Sequence, residues 1–307
     1  MKKLYVLNKV LYSLALVTIV NGISVPKPKG QPVWGYWECV TGIYCPSSWK
    51  SISKYCGGSR QSPIDISSYY MPTKPPRKPL QVESDNDDGL VIGVFANTGH
   101  TAQFTVEENK GSVYLSGGPA DSETYKLSHI KFHFGCSITT GSEHTFDTNP
   151  SAAEMQMVFY NSKYKDFKEA ANETDGLLIV SSLFTPYGGP TYYVNPTLER
   201  LVAMLPNITQ PGSYVMLNND ARIELTKLVP ELTRPYPYYF TYKGSLTTPP
   251  CYESVTWVVL KEKLTISMDQ LEQFKSLKNR HGFSQCDNAR PTQPVNNREI
   301  TKNFNPY

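Results

Sequence analysis

Strand-like segments follow one another in quick succession along most of this sequence. VIGVFANTGH, TAQFTVEE, SVYLSGGP, EMQMVFY, GLLIVSSLF and SVTWVVL are short, rich in β-branched and aromatic residues, and separated by Gly, Pro, Asn and Asp. Runs of this length bounded by turn formers read as β-strands and argue against a helical bundle. The 21 Tyr and 24 Pro point the same way, towards strands and turns. Helix signals are confined to two places. Ser267 and Gln270 form a capping box ahead of Leu271, Phe274 and Leu277, with Gly282 as a stop, which predicts a helix over 267–281. A shorter helix is expected over 197–204. The 307 residues suffice for one large domain or two small ones, and neither an internal repeat nor a second linker divides them. The expectation is one β-rich (α+β) domain over 34–303, with a few peripheral short helices. Pattern alone leaves a sandwich open as well as a single sheet.

Ahead of that domain, residues 1–22 read as a signal peptide. Lys2 and Lys3 precede an apolar run of 11, Val10–Val20, and Val20-Asn21-Gly22 offers small residues for cleavage. The run falls short of the about 20 residues a membrane-spanning helix needs, and no later stretch is apolar enough to span. Residues 23–33 (ISVPKPKGQPV) form a Pro/Lys-rich linker. An exported protein is expected, with no membrane span. A net charge of +3 gives no indication of a polyanionic partner, so nucleic acid is not expected. Six cysteines, Cys39, Cys45, Cys56, Cys136, Cys251 and Cys286, are an even number in an exported chain and suggest disulfides, whose 15 pairings sequence does not rank. No CxxC pair is present to suggest a zinc–thiolate site. Asn172-Glu173-Thr174 and Asn207-Ile208-Thr209 are candidate glycosylation sequons.

Within the strand run, residues 128–135 read SHIKFHFG. Alternation puts His129, Lys131 and His133 on one face and Ile130, Phe132 and Phe134 on the other. A metal held on a strand wants ligands two residues apart, about 6.6 Å along it, and position 131 is therefore the partner of His133. His129, about 13 Å from His133, is too far to share a small ion. Lys131 is a poor ligand, since losing its proton costs about 4–5 kcal/mol at neutral pH. Without further information it reads as a surface lysine.

Taken with the rest of the chain, this strand resembles those of the α-carbonic anhydrases. The resemblance runs in order through Trp34-Gly35-Tyr36, QSPIDI at 61–66, NTGH at 97–100, FHFG at 132–135, GSEHT at 141–145 and GSLTTPPC at 244–251. It continues through Glu253, Trp257, RPTQP at 290–294 and NNR at 296–298. It implies a central, twisted, mainly antiparallel sheet of about ten strands and a conical cleft in which zinc sits on three histidines. Zinc there lowers the pKa of its water to about 7, and the resulting hydroxide attacks carbon dioxide.

Position by position, the resemblance implies a degenerate zinc site. The three ligand positions fall on Lys131, His133 and Gln156, so His133 alone is retained. Around them the resemblance gives Thr247 as the hydroxide-orienting residue, Glu143 as acceptor of its hydrogen bond, and Thr248 beside them. His100 takes the proton-shuttle position, a role suited to a near-neutral pKa, and Tyr36 the position that orders cleft water. Glu154 matches an acid that orients a ligand histidine, and His144 a structural histidine. Val158, Ile179, Leu246, Val255 and Trp257 match the apolar wall that receives carbon dioxide, and Cys56 and Cys251 a disulfide of exported members. Lys131 is expected to place its ammonium where zinc would lie, with Glu143 or Glu154 as counter-charge.

The resulting expectation is an exported, non-catalytic carbonic anhydrase-like protein, without zinc. It would bind an unknown extracellular protein, glycan or matrix, a mineralised one included. Two alternatives accompany it: a working zinc enzyme with unusual ligands, acting on carbon dioxide and bicarbonate, and a secreted storage or fluid protein.

Overall fold

The computed structural model describes residues 33–36, 42–67, 71–86, 89–187, 195–218 and 222–305. The leader, almost all of the linker, and Cys39 lie outside them. Twelve strands form one sheet: β1 (Gln81–Ser84), β2 (Gly93–Asn97), β3 (Ala102–Val106), β4 (Val113–Ser116), β5 (Tyr125–Phe134), β6 (Ala153–Asn161), β7 (Leu177–Tyr187), β8 (Tyr214–Met216), β9 (Tyr239–Gly244), β10 (Val255–Leu260), β11 (Leu264–Ser267) and β12 (Thr301–Lys302). The spatial order is β8-β2-β3-β5-β6-β7-β10-β9-β12, with β4 beside β5, β1 beside β4, and β11 beside the far end of β7. Pairing is antiparallel except that β7 runs parallel to β10 and β11. The mainly antiparallel expectation is met by a single sheet somewhat larger than the ten strands implied, and the sandwich is excluded.

Apolar side chains cover both faces of the centre of this sheet. Along β6, Met155, Met157 and Phe159 enter the larger cluster while Val158 and Tyr160 enter a second cluster on the opposite face. Every residue of β6 is buried. A strand packed on both sides reads as a continuous apolar run rather than an alternation, as EMQMVFY does. The exceptions, Glu154 and Gln156, therefore sit at the centre of the fold rather than on its surface.

The helices are short and peripheral: α1 (Phe167–Ala170), α2 (Pro196–Met204), α3 (Leu225–Leu228) and α4 (Met268–Lys275). The α4 capping box is present as expected, Ser267 Oγ accepting from Gln270 N and Gln270 Oε1 from Ser267 N. The helix stops well before 281, however. Asn279 Oδ1 accepts from the backbone N–H groups of His281 and Phe283, and Lys278 bridges to Ser284. An asparagine that binds its own following backbone competes with helix continuation, so 278–284 is a turn, and Gly282 with φ 82° serves that turn.

Candidate functional site

The side-chain alternation of β5 is reset by an irregularity between Leu127 and His129. Beyond it, Ile130, Phe132 and Phe134 point into the larger cluster, and His129, Lys131 and His133 take the other face. Across the ladder to β6, Lys131 pairs with Gln156 and His133 with Glu154. The strand pairing thus brings the three positions matched to zinc ligands to one place, beside the second apolar cluster. Lys131 is only 6% exposed, and His133 and Gln156 are fully buried. The surface-lysine reading of Lys131 is therefore wrong, because the elements covering this face are distant in sequence.

Gln156 is the hub of the polar network. Its Nε2 donates to Glu143 Oε2 at 2.7 Å and to Glu154 Oε1 at 2.9 Å. A carboxylate accepts and does not donate, so only the amide NH2 end fits between the two acids, and Oε1 is left buried without a partner. The rest of each acid is also engaged. Glu143 Oε1 accepts from Arg290 N at 3.0 Å. Glu154 accepts from the backbone N–H groups of Glu143 and His144, from Ser181 Oγ, and lies 2.8 Å from His144 Nδ1. Burial pushes the Glu154 carboxyl up, but His144 and these donors outweigh it and hold the group down at about 2.

This network rearranges the roles implied by the resemblance. Thr247 is fully buried and its Oγ1 has no partner, while Glu143 Oε2 accepts from Gln156. The expected Thr247-to-Glu143 hydrogen bond is therefore missing. Glu143 and Glu154 both act on Lys131 as counter-charges, though no direct ion pair or hydrogen bond joins them among the described residues. Burial lowers the Lys131 pKa, and the two acids offset this only in part. Glu154 was expected to orient a ligand histidine, and instead orients Gln156 and His144.

His133 keeps the geometry of a ligand. Its Nδ1 lies 2.7 Å from the Asn288 carbonyl, which fixes the proton on Nδ1 and leaves Nε2 facing the site. Nε2 has no hydrogen bond and lies 3.3 Å from Glu143 Oε2. Tyr36 packs edge-on to His133 with ring centroids 6.3 Å apart. Burial, reinforced by Glu143, raises the Tyr36 phenol pKa well above its usual value. His144 Nε2 lies 2.7 Å from Tyr242 Oη, in keeping with a structural histidine. His129 is apart from this group, edge-on to Phe167.

His100 stacks flat on Trp34, with centroids 3.8 Å apart and planes at 3°. Burial, then the charge of Arg280, lowers its pKa to about 4. The near-neutral pKa that suited His100 to proton shuttling is absent, and the ring is uncharged at neutral pH. Thr248 is half-buried and its carbonyl accepts from Cys251 N.

The apolar wall is assembled as implied: Val158, Ile179, Leu246, Val255 and Trp257 are all buried in the second cluster, with Ile179 paired to both Val158 and Trp257. Cys56 and Cys251 form the expected disulfide. Cys136 and Cys286 form another, and Cys45 is also disulfide-bonded. Asn172 and Asn207 are both exposed. Sequence reading missed Asn288, Ser181 and Tyr242 as parts of the network. No local pattern marks them, because each acts from a different part of the chain.

Zinc chemistry can be tested against these donors. One imidazole nitrogen is available. The second position is an amine that must lose a proton, and the third is a neutral amide oxygen whose NH2 end is held by two acids. Among the described residues, the only trio of His, Cys, Asp or Glu ligand atoms close enough for one ion is Cys136, Cys286 and Asp287, and those sulfurs are bonded to each other. The residues present do not fit a three-histidine zinc.

One large mainly antiparallel sheet, a buried His–Glu–Thr cluster and an apolar wall define the α-carbonic anhydrase class of folds. The sequence comparisons agree. Residues 44–304 match the family model described as eukaryotic-type carbonic anhydrase. The chain is 34% identical over 281 residues to carbonic anhydrase 7 of Mus musculus, covering 90% of this chain and 98% of that protein. This chain belongs to the eukaryotic-type carbonic anhydrase family.

Proposed function

We propose that this protein is an exported, metal-free member of the family, without efficient carbon dioxide hydratase activity, that serves as an extracellular binding or matrix protein. The observation that carries the loss of activity is the Gln156 amide. It stands at a ligand position, offers no imidazole, and binds Glu143 Oε2 while Thr247 Oγ1 is left without a partner. The metal loses an imidazole there, and the Thr247-to-Glu143 bond that would orient a hydroxide is not made. Lys131 then adds a buried amine where a second imidazole is required. Export is supported by the leader pattern and by disulfides, which persist in oxidising compartments. No helix among the described residues is long and apolar enough to cross a membrane. The binding role is assigned to the surface of this disulfide-tied fold, with a protein, a glycan or a matrix as partner.

The test is a carbon dioxide hydration assay on the secreted, oxidised protein with zinc supplied. The proposal expects a rate indistinguishable from the uncatalysed one. A turnover within the ordinary range for enzymes, about 1 s⁻¹ or above, would overturn it.

A further inference from the structure

We propose that the Cys136–Cys286 disulfide is a reducible latch on the cleft wall, which a small soluble dithiol opens while Cys56–Cys251 stays closed. Opening it frees the segment that holds His133 and the His100 turn. The latch does not depend on the metal-free reading, since it concerns the wall behind His133 whether or not an ion is held in front of it.

The two disulfides differ in access. Cys136 follows the end of β5 and is exposed, whereas Cys56 is buried and Cys251 is completely so. Thiol–disulfide exchange requires a thiolate to reach a sulfur, so access decides which bond opens. One dithiol sulfur attacks Cys136 Sγ, the S–S bond breaks, and Cys286 leaves as a thiolate that takes a proton. The second dithiol sulfur then attacks its partner in the mixed disulfide and displaces the Cys136 thiolate. The products are two protein thiols and a cyclic disulfide: the protein bond is reduced and the dithiol oxidised.

What the latch secures is specific. Just beyond Cys286, Asp287 N donates to the Phe134 carbonyl, and Asp287 Oδ1 accepts from Cys136 N. Asn288 then makes four contacts to the cleft wall. Its carbonyl faces His133 Nδ1, its Oδ1 accepts from Phe134 N, and its Nδ2 donates to the carbonyls of Phe132 and His100. Two residues later, Arg290 N reaches Glu143. The segment 286–290 thus sets the orientation of His133, the seat of the stacked His100, and one oxygen of Glu143. The covalent tie stands at its start, where Cys136 is exposed.

The experiment treats the native protein with increasing dithiothreitol at about pH 8, where thiolate is abundant. Free thiols are alkylated and mapped by mass, and hydrogen exchange is followed in the same samples. Cys136 and Cys286 should be labelled at a dithiol concentration about tenfold or more below that needed for Cys56 and Cys251. Exchange at 98–101, 132–134 and 287–290 should rise several-fold, while β7 and β10 stay protected. The paired variant Cys136→Ser with Cys286→Ser should show the same exchange pattern without reductant, and if it fails to fold, the reduction series on the native protein still decides. Simultaneous opening of both disulfides would overturn the proposal. So would labelling of Cys136 and Cys286 with exchange in those three segments unchanged.

Discussion

On one side of the cleft, Val158, Ile179, Leu246, Val255 and Trp257 pack as the resemblance implies. On the other, Lys131, His133, Gln156, Glu143 and Glu154 form a polar cluster in which one ligand position of three is a histidine and the acids are bridged by an amide. The contrast shows what each wall is for. The apolar wall is also the core of the sheet, so its residues are held in place by packing whether or not carbon dioxide is ever received. The polar wall has no such second duty. Its requirement is that every buried donor and acceptor find a partner, and a glutamine between two carboxylates meets most of that requirement without a metal. The acids also hold Arg290, His144 and Gln156, so their presence alone carries no implication of catalysis.

The comparison can be broken most easily from the apolar side. Trp257→Ala removes the largest side chain of that wall, which also donates from Nε1 to the Ser245 carbonyl. It should cost about 3–5 kcal/mol in urea unfolding. A cost below about 1 kcal/mol would mean the wall is not core.

On the polar side, Glu154 carries the next largest effect. Its folded pKa of about 2 lies below the unfolded value. Its stabilisation is therefore complete above about pH 4.3 and is lost as pH falls from there towards 2, an effect of about 3 kcal/mol. In Glu154→Gln this acid-limb dependence should be largely absent when stability is measured between pH 5 and about 2.

Gln156→Leu removes both amide hydrogen bonds, to Glu143 Oε2 and to Glu154 Oε1, from a buried site, and should destabilise by about 2–3 kcal/mol in a chemical melt. An unchanged melt would show that the amide bridge is not what closes the cluster.

The smallest effect has the opposite sign. Lys131 is buried with no ion pair among the described residues and a lowered pKa. Because the unfolded chain holds this proton more tightly, the native protein gains stability as pH rises through the window below about 10.4, the unfolded lysine value. Lys131→Met should therefore stabilise at pH 7, by about 1 kcal/mol, and the advantage should shrink as pH approaches 10. Paired melts at the two pH values check this.

The sequence made the sheet and the Cys56–Cys251 bond legible, because ordered motifs and strand alternation carry them, and the sheet register brings Lys131, His133 and Gln156 together. The α4 start was legible in its capping box, but its end was not, since the competing Asn279 turn is visible only when its backbone contacts are. Lys131 misled because alternation gives the face a residue points to but not what covers that face. The amide bridge was illegible for a similar reason: it needs Gln156, Glu154 and Glu143 to converge from separate parts of the chain, and spacing alone does not say which end of an amide will point where. The Cys136–Cys286 bond was one of many pairings until the end of β5 and the segment after α4 were brought together.

The most direct test of the account is zinc content. The chain would be produced through a secretory pathway with zinc supplied, kept oxidised so that Cys136 and Cys286 offer no thiols, and its metal counted per folded molecule. The account predicts far less than one zinc per chain in a protein that still melts cooperatively. Close to one zinc per chain would contradict it, and would mean that Lys131 and Gln156 do not stand where the second and third ligands belong.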